Sequence, residues 1–135
     1  MKTLYVRTPK EGLVNITEAV EGLLEGHTGL VYLFVPHTTC GLTLQEGADP
    51  HVAQDLLARL AELAPRFHPK DRHAEGNTHA HLKTLLTGVF LLLFAEGGRL
   101  RLGRWQQVFL AEYDGPRTRE VWVQPLTPSA PPGRF

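Results

Sequence analysis

Apolar residues change their spacing several times along this chain, and each change marks a new element. Lys2 to Arg7 predicts a strand, and Gly12 to Ile16 a second, shorter one. Ile16, Ala19, Val20, Leu23 and Leu24 then recur at i, i+3, i+4, i+7 and i+8, the apolar stripe of a helix. Asn15 and Glu18 stand in a capping-box arrangement at its start, and Gly26 suits the left-handed residue that ends it. Gly29 to Val35 is a continuous apolar run, the pattern of a buried strand, and Pro36 closes it. A polar turn, Pro36 to Cys40, leads into the next strand, Gly41 to Gln45.

Asp49 as N-cap and Pro50 at the first helical position open a second helix. Val52, Leu56, Leu57, Leu60 and Leu63 form its expected buried face. Ala64 to Gly76 is a polar loop, long enough to suggest function. Asn77 caps a third helix with Leu82, Leu85 and Leu86 as its apolar face, and Gly88 ends it. Strands are expected over Val89 to Ala95 and, after the Gly97-Gly98 turn, over Arg99 to Gly103. Trp105 to Glu112 and Thr118 to Gln124 complete a meander. The order is roughly ββαββααβββ. Helices in the middle and strands at both ends predict an α+β fold of mostly antiparallel β-sheet layers with about three helices. One domain is expected over residues 1–126, with a Pro-rich extension, TPSAPPGRF, over 127–135.

Composition narrows the partners. Fourteen basic residues meet fourteen acidic ones, so no basic excess exists to displace counterions and nucleic acid is not expected. Near-zero net charge also does little to oppose self-association. The single cysteine, Cys40, excludes an intrachain disulfide and fits a reducing compartment. The N-terminus has no apolar targeting core, and Val89 to Ala95 is too short to cross a bilayer. The expectation is a cytoplasmic protein without a membrane segment.

The chemistry-bearing residues sit at element ends. His37, Thr38 and Thr39 follow one strand, Glu46 and Asp49 follow the next, and Asp55 lies within the second helix. Of seven histidines, five fall between His51 and His81. At about 100° per residue, Asn77 and His81 lie roughly 40° apart and share a helix edge, whereas His79 lies roughly 160° from His81. His79 is therefore assigned to the surface, and His73 is placed to fold back toward the Asn77 edge. His37, His73 and His81 are candidate ligands for Zn²⁺ or a similar divalent ion, although no established metal-binding spacing is present. Asp49 reads equally well as a helix cap, and Asp55 as a solvated helix charge. Cys40 is better read as a small packed residue than as a nucleophile. Arg117 and Arg119 could hold a phosphate, with solvation the slightly favoured reading for Arg119.

Four blocks taken together resemble the YjbQ-like family, described as secondary thiamine-phosphate synthases. They are His37-Thr38-Thr39 with Glu46, Ala48-Asp49-Pro50 and Asp55; His73 with Gly76-Asn77 and Ala80-His81-Leu82-Lys83; Gly98-Arg99-Leu100 with Leu102-Gly103 and Trp105-Gln106; and Glu112, Asp114-Gly115 and Arg117. The third block departs from the family pattern. Arg104 stands where the family usually has Thr, Phe90 where it has Ser, and Leu93-Phe94-Ala95 where it has an Ile-Pro-Val stretch.

The resemblance implies a homotrimer with a site lined by His, Asp and Glu near subunit contacts. It also implies a weak or promiscuous activity that joins a pyrimidine diphosphate to a thiazole phosphate, releasing diphosphate. In that reading His37, Glu46, Asp49, Asp55 and His81 are catalytic, while Thr38, Thr39, Asn77, Gln106 and Arg117 bind substrate. A Zn or Mg ion would sit on His37, His73 and His81. The alternatives are a metal-dependent hydrolase of a small phosphorylated metabolite and a non-catalytic metabolite- or metal-binding trimer.

Overall fold

A computed structural model describes residues 1–127, so all but the first residue of the Pro-rich extension lies outside the described part. The elements run β1 Lys2–Arg7, β2 Gly12–Asn15, α1 Thr17–Glu21, β3 Gly29–Phe34, β4 Cys40–Glu46, α2 Pro50–Leu63, α3 Thr78–Thr87, β5 Phe90–Glu96, β6 Arg99–Leu100, β7 Gln106–Glu112 and β8 Thr118–Leu126. Every strand pairing is antiparallel, and the fold is α+β as expected.

The strands form two sheets, one ordered β1-β8-β3-β5-β6 and the other β2-β7-β4. The inward residues of both build one core. Val31 and Leu33, Leu93 and Ala95, and Val121 and Val123 come from the larger sheet, and Leu42, Val108 and Leu110 from the smaller. The expected meander at the end of the chain does not form. β7 pairs between β2 and β4, and β8 crosses to the other sheet to pair with β1 and β3. Sequence spacing shows that two strands are close along the chain, but not which sheet each joins. Only Arg99–Leu100 pairs as a strand in the segment read as Arg99 to Gly103.

Three apolar faces differ from expectation. The Gly29–Phe34 strand is buried on one side only. Leu30 is exposed, Tyr32 and Phe34 are half-buried, and they join Phe90, Leu92, Phe94 and Trp122 on the outer face of the larger sheet. Aromatic rings pack against one another there, with centroids 5.8 Å apart for Tyr32–Phe90 and 5.4 Å for Phe34–Trp122. On α2 no residue is fully buried, and Leu63 is exposed. On α3 the leucine stripe faces outward, with Leu85 78% exposed, whereas His79, Ala80, Lys83 and Thr84 are buried. The first helix is also shorter than its stripe, and Ala19 is exposed.

The inward face of α3 explains itself through close approach. Gly41 lets the helix end come onto β4, since a Cβ there would collide with the Gly88 carbonyl, which accepts from the Leu42 amide at 3.0 Å. Lys83, 2% exposed, buries its stem and satisfies its ammonium on Glu11 at 3.2 Å, 5.7 Å from the Tyr113 ring centroid.

Candidate functional site

Three segments remote in sequence meet at one end of the core. They are the turn after β3, the end of the long loop with the first turn of α3, and the β7–β8 connection. Between them lies a cleft of about 320 Å³ bordered by His37, Thr38, Thr39, His73, Glu75, Asn77, His81, Arg117 and Arg119.

Its floor is a buried ion pair. Arg119, 4% exposed, donates from Nε to Glu112 Oε1 at 2.8 Å and from Nη2 to Oε2 at 2.6 Å. Glu112 also accepts from the Thr8 hydroxyl at 2.6 Å and the Asp114 amide at 3.0 Å. Burial alone would raise the Glu112 pKa. The Arg119 and Thr8 hydrogen bonds and the Asp114 amide outweigh it and hold the carboxyl below the usual range. Burial likewise opposes the Arg119 charge, and Glu112 more than restores it. Arg119 is thus a buried, paired cation at the cleft floor, correcting the solvated reading. Its Nη2 also reaches Thr39 Oγ1 at 2.8 Å, which fixes the turn carrying His37 and Thr38.

The rim is held by a second pair. Arg117 donates to the Asp114 carboxylate at 2.9 Å and to the Asp114 carbonyl at 2.7 Å. Asn77 donates to the same carboxylate oxygen at 2.8 Å. Burial raises the Asp114 pKa, but these two hydrogen bonds outweigh it and keep the group ionised. Asn77 makes no side-chain cap on α3, contrary to expectation; its amide is spent on Asp114, and its Oδ1 is buried without a partner. Gly115 makes the connection possible, because a Cβ there would strike the Pro9 carbonyl.

His37 accepts from the Glu120 amide through Nε2 at 2.9 Å, so the neutral ring carries its proton on Nδ1. Burial and then the Arg119 charge lower its pKa, which keeps the ring neutral near pH 7. The His73 and His81 rings meet edge to face with centroids 5.4 Å apart, and His73 lies 3.8 Å from Glu75. Among the described residues no three His, Cys, Asp or Glu side chains converge closely enough to hold a metal ion. His37 also has its Nε2 lone pair occupied. The donor set therefore offers at most the His73–His81 pair.

The other candidates lie elsewhere in this chain. Glu46 accepts from the amides of Ala48 and Asp49 at 3.0 and 2.7 Å, closing the turn into α2. Asp49 is the helix cap, accepting from the His51 amide at 2.9 Å. Both border a separate pocket beside Asn15 and Phe109. Asp55 lies on an α2 groove with Arg59 and Glu62. Gln106 accepts from the Gly103 amide at 2.8 Å. None of the four lines the cleft.

Cys40 is fully buried and its thiol is pushed up to about 12, chiefly by burial, so it is a packing residue. His79 is buried, not on the surface as expected. Glu75 and Thr8 were not singled out in the sequence; Arg119 was named there only as a possible phosphate holder, and Glu112 only within the family resemblance. A Glu at the end of the apolar run Val108 to Ala111 was the available signal for Glu112.

Residues 2–127 match the family described as UPF0047 protein YjbQ-like. The UPF0047 protein YugU of Bacillus subtilis is 44% identical over 128 residues, covering 92% of this chain and 97% of that protein. A UPF0047 protein of Methanocaldococcus jannaschii is 40% identical over 118 residues, covering 85% of each. Among solved structures, a conserved hypothetical protein from Thermus thermophilus is similar with a TM-score of 0.93 and 78% identity, over 93% of this chain and all of that one. A YjbQ/UPF0047 family protein from Clostridium acetobutylicum is similar with a TM-score of 0.88 and 36% identity, again over 93% of this chain and 100% of that one.

Proposed function

The chain belongs to the UPF0047 YjbQ-like family, and from that premise we propose that its cleft binds the phosphate groups of a small phosphorylated metabolite and assists their departure. The observation that carries this reading is the buried, Glu112-backed guanidinium of Arg119 beside the exposed Arg117 at a cleft rimmed by imidazoles. A cation held rigid before substrate arrives stabilises developing negative charge without reorganisation.

The reaction of this kind that fits joins a pyrimidine diphosphate to a thiazole phosphate by transferring its pyrimidinylmethyl group and releasing diphosphate. The C–O bond to diphosphate breaks and diphosphate leaves with the electron pair. The thiazole ring nitrogen bonds to the same carbon. Arg117 and Arg119 take the charge on the departing oxygens, and neutral His37 donates a hydrogen bond from Nδ1. His81, with Asn77 on its edge, orients the substrate. If a divalent ion takes part, His73 and His81 are the pair we assign to it, and it would supply charge neutralisation at the diphosphate.

Incubating the purified full chain with the pyrimidine diphosphate, with and without the thiazole phosphate, tests the assignment. Acceptor-dependent diphosphate release is expected, falling by about 10²-fold or more in Arg117→Ala and His37→Ala. Release without acceptor would move the reading to a hydrolase. Tight binding without turnover would make the protein a metabolite-binding module.

We also propose that copies assemble as a homotrimer. The aromatic outer face of the larger sheet and the outward leucines of α3 support this, because apolar patches of that kind are seldom left to water. Light scattering on Leu85→Glu is expected to show loss of the assembly. A wild-type chain that is already monomeric would refute it.

A further inference from the structure

The cleft does not end at its imidazole rim. A hollow of about 360 Å³ adjoins it, and the two share Thr38 and His81 as a common sill. Beyond the sill the hollow is bounded by Thr84, Leu85, Gly88 and Val89, from the end of α3 and the residues that lead into β5. Polar atoms of this wall are committed to the fold's own bonds. The Thr84 hydroxyl donates to the Ala80 carbonyl at 2.9 Å, and the Gly88 amide donates to the Thr84 carbonyl at 2.9 Å. The carbonyls of Gly88 and Val89 accept from the Leu42 and Val35 amides at 3.0 and 2.9 Å. What Thr84, Leu85 and Val89 still offer is hydrocarbon. Gly88 adds no side chain: its φ of 90° suits glycine, and a Cβ there would stand in open space.

The contrast across the sill selects a ligand class. On one side stand Arg117, Arg119 and the imidazoles of His37, His73 and His81, which suit an oxyanion. On the other, a hydroxyl-rich group would give up its water and find no donor or acceptor to replace it. A compact ring gives up little by entering, and it removes hydrocarbon from water. Leu85 forms the outer lip and also lies on the face assigned to self-assembly. Val89, half-buried against the core, forms the inner wall.

We propose that this hollow is the subsite for the organic group of the cleft's own ligand, and that the ligand is a phosphate or diphosphate ester of a single small ring, not a sugar phosphate. The subsite rests on the phosphate reading of the cleft and adds the part of the molecule that the arginines do not touch. Thr38 and His81, common to both cavities, stand at the link between ring and phosphate. Val89 and Leu85 determine which organic groups are accepted.

The test is calorimetric titration of the full chain with methyl phosphate, glycerol phosphate and benzyl phosphate at constant ionic strength. Benzyl phosphate is expected to bind about 10-fold tighter than the other two, which should bind alike. In methyl-labelled protein, its ring current should move the Val89 methyl resonances, and methyl phosphate should leave them in place. Val89→Ala should weaken benzyl phosphate by about 5-fold and leave methyl phosphate binding unchanged, which also shows that the variant is folded. Benzyl phosphate binding no tighter than methyl or glycerol phosphate, or tighter binding that leaves the Val89 methyls unmoved, overturns the subsite while the phosphate reading of the cleft stands. If none of these esters binds, that reading fails and the subsite fails with it.

Discussion

On the cleft side of α3, buried polar atoms are almost all paired. Glu112 receives four hydrogen bonds from three residues, Arg119 spans Glu112 and Thr39, and Asn77 and Arg117 converge on Asp114. On the opposite side, His79 is buried with two unbonded nitrogens. The helix thus borders one polar region that holds the fold together and carries a buried group that weakens it. A closed network stabilises and rigidifies, while a buried polar group left unpaired costs stability. Preorganisation, not accumulation of charge, separates the two.

Removing the keystone of the paired side should have the largest effect. Glu112→Ala leaves Arg119 buried without its counter-charge, and stability should fall by about 3–5 kcal/mol in denaturant unfolding. A loss under about 1 kcal/mol would show that the pair does not organise the cleft. The opposite sign is expected behind the helix. His79→Leu removes two unsatisfied atoms from a buried position, and the unliganded protein should gain about 1–3 kcal/mol. A destabilised variant would mean that His79 is already bonded in solution.

Acid should sharpen the contrast further. His37 and His79 both have lowered pKa values in the fold, so the unfolded chain binds more protons than the native one below about pH 6.5. Stability is then fully present above that pH and declines as pH falls through the window. His79→Leu should flatten the decline, measured as unfolding free energy against pH. Glu112 and Asp114 are lowered carboxyls, and their contribution is lost only at more acid pH, as it falls through their folded values. The smallest effect on stability is expected at the rim. Arg117→Ala breaks an exposed pair and should cost under about 1 kcal/mol while abolishing phosphate recognition in the cleft.

Much of the fold was legible because it rests on local rules. The Lys2–Arg7 strand, the Asp49-Pro50 helix start and the Gly97-Gly98 turn follow from propensity, capping and left-handed φ at both glycines. The cleft was partly legible. His37, Thr38, Thr39, Asn77, His81 and Arg117 sit at element ends, and these ends do converge. Arg119 and His79 were misplaced for one reason: their residue types ordinarily face water. Burial of a charge or an imidazole depends on whether a partner or a pocket lies opposite, and that partner comes from another part of the chain.

The sequence by itself determined the class of fold, most element boundaries and the segments that carry chemistry, because periodicity and caps act within a few residues. Tertiary structure alone decided which sheet β7 and β8 join, which face of α3 turns inward, and that Glu112 rather than water neutralises Arg119. Those outcomes depend on pairings between residues distant along the chain, whose energies arise only once the two sheets have closed on a shared core.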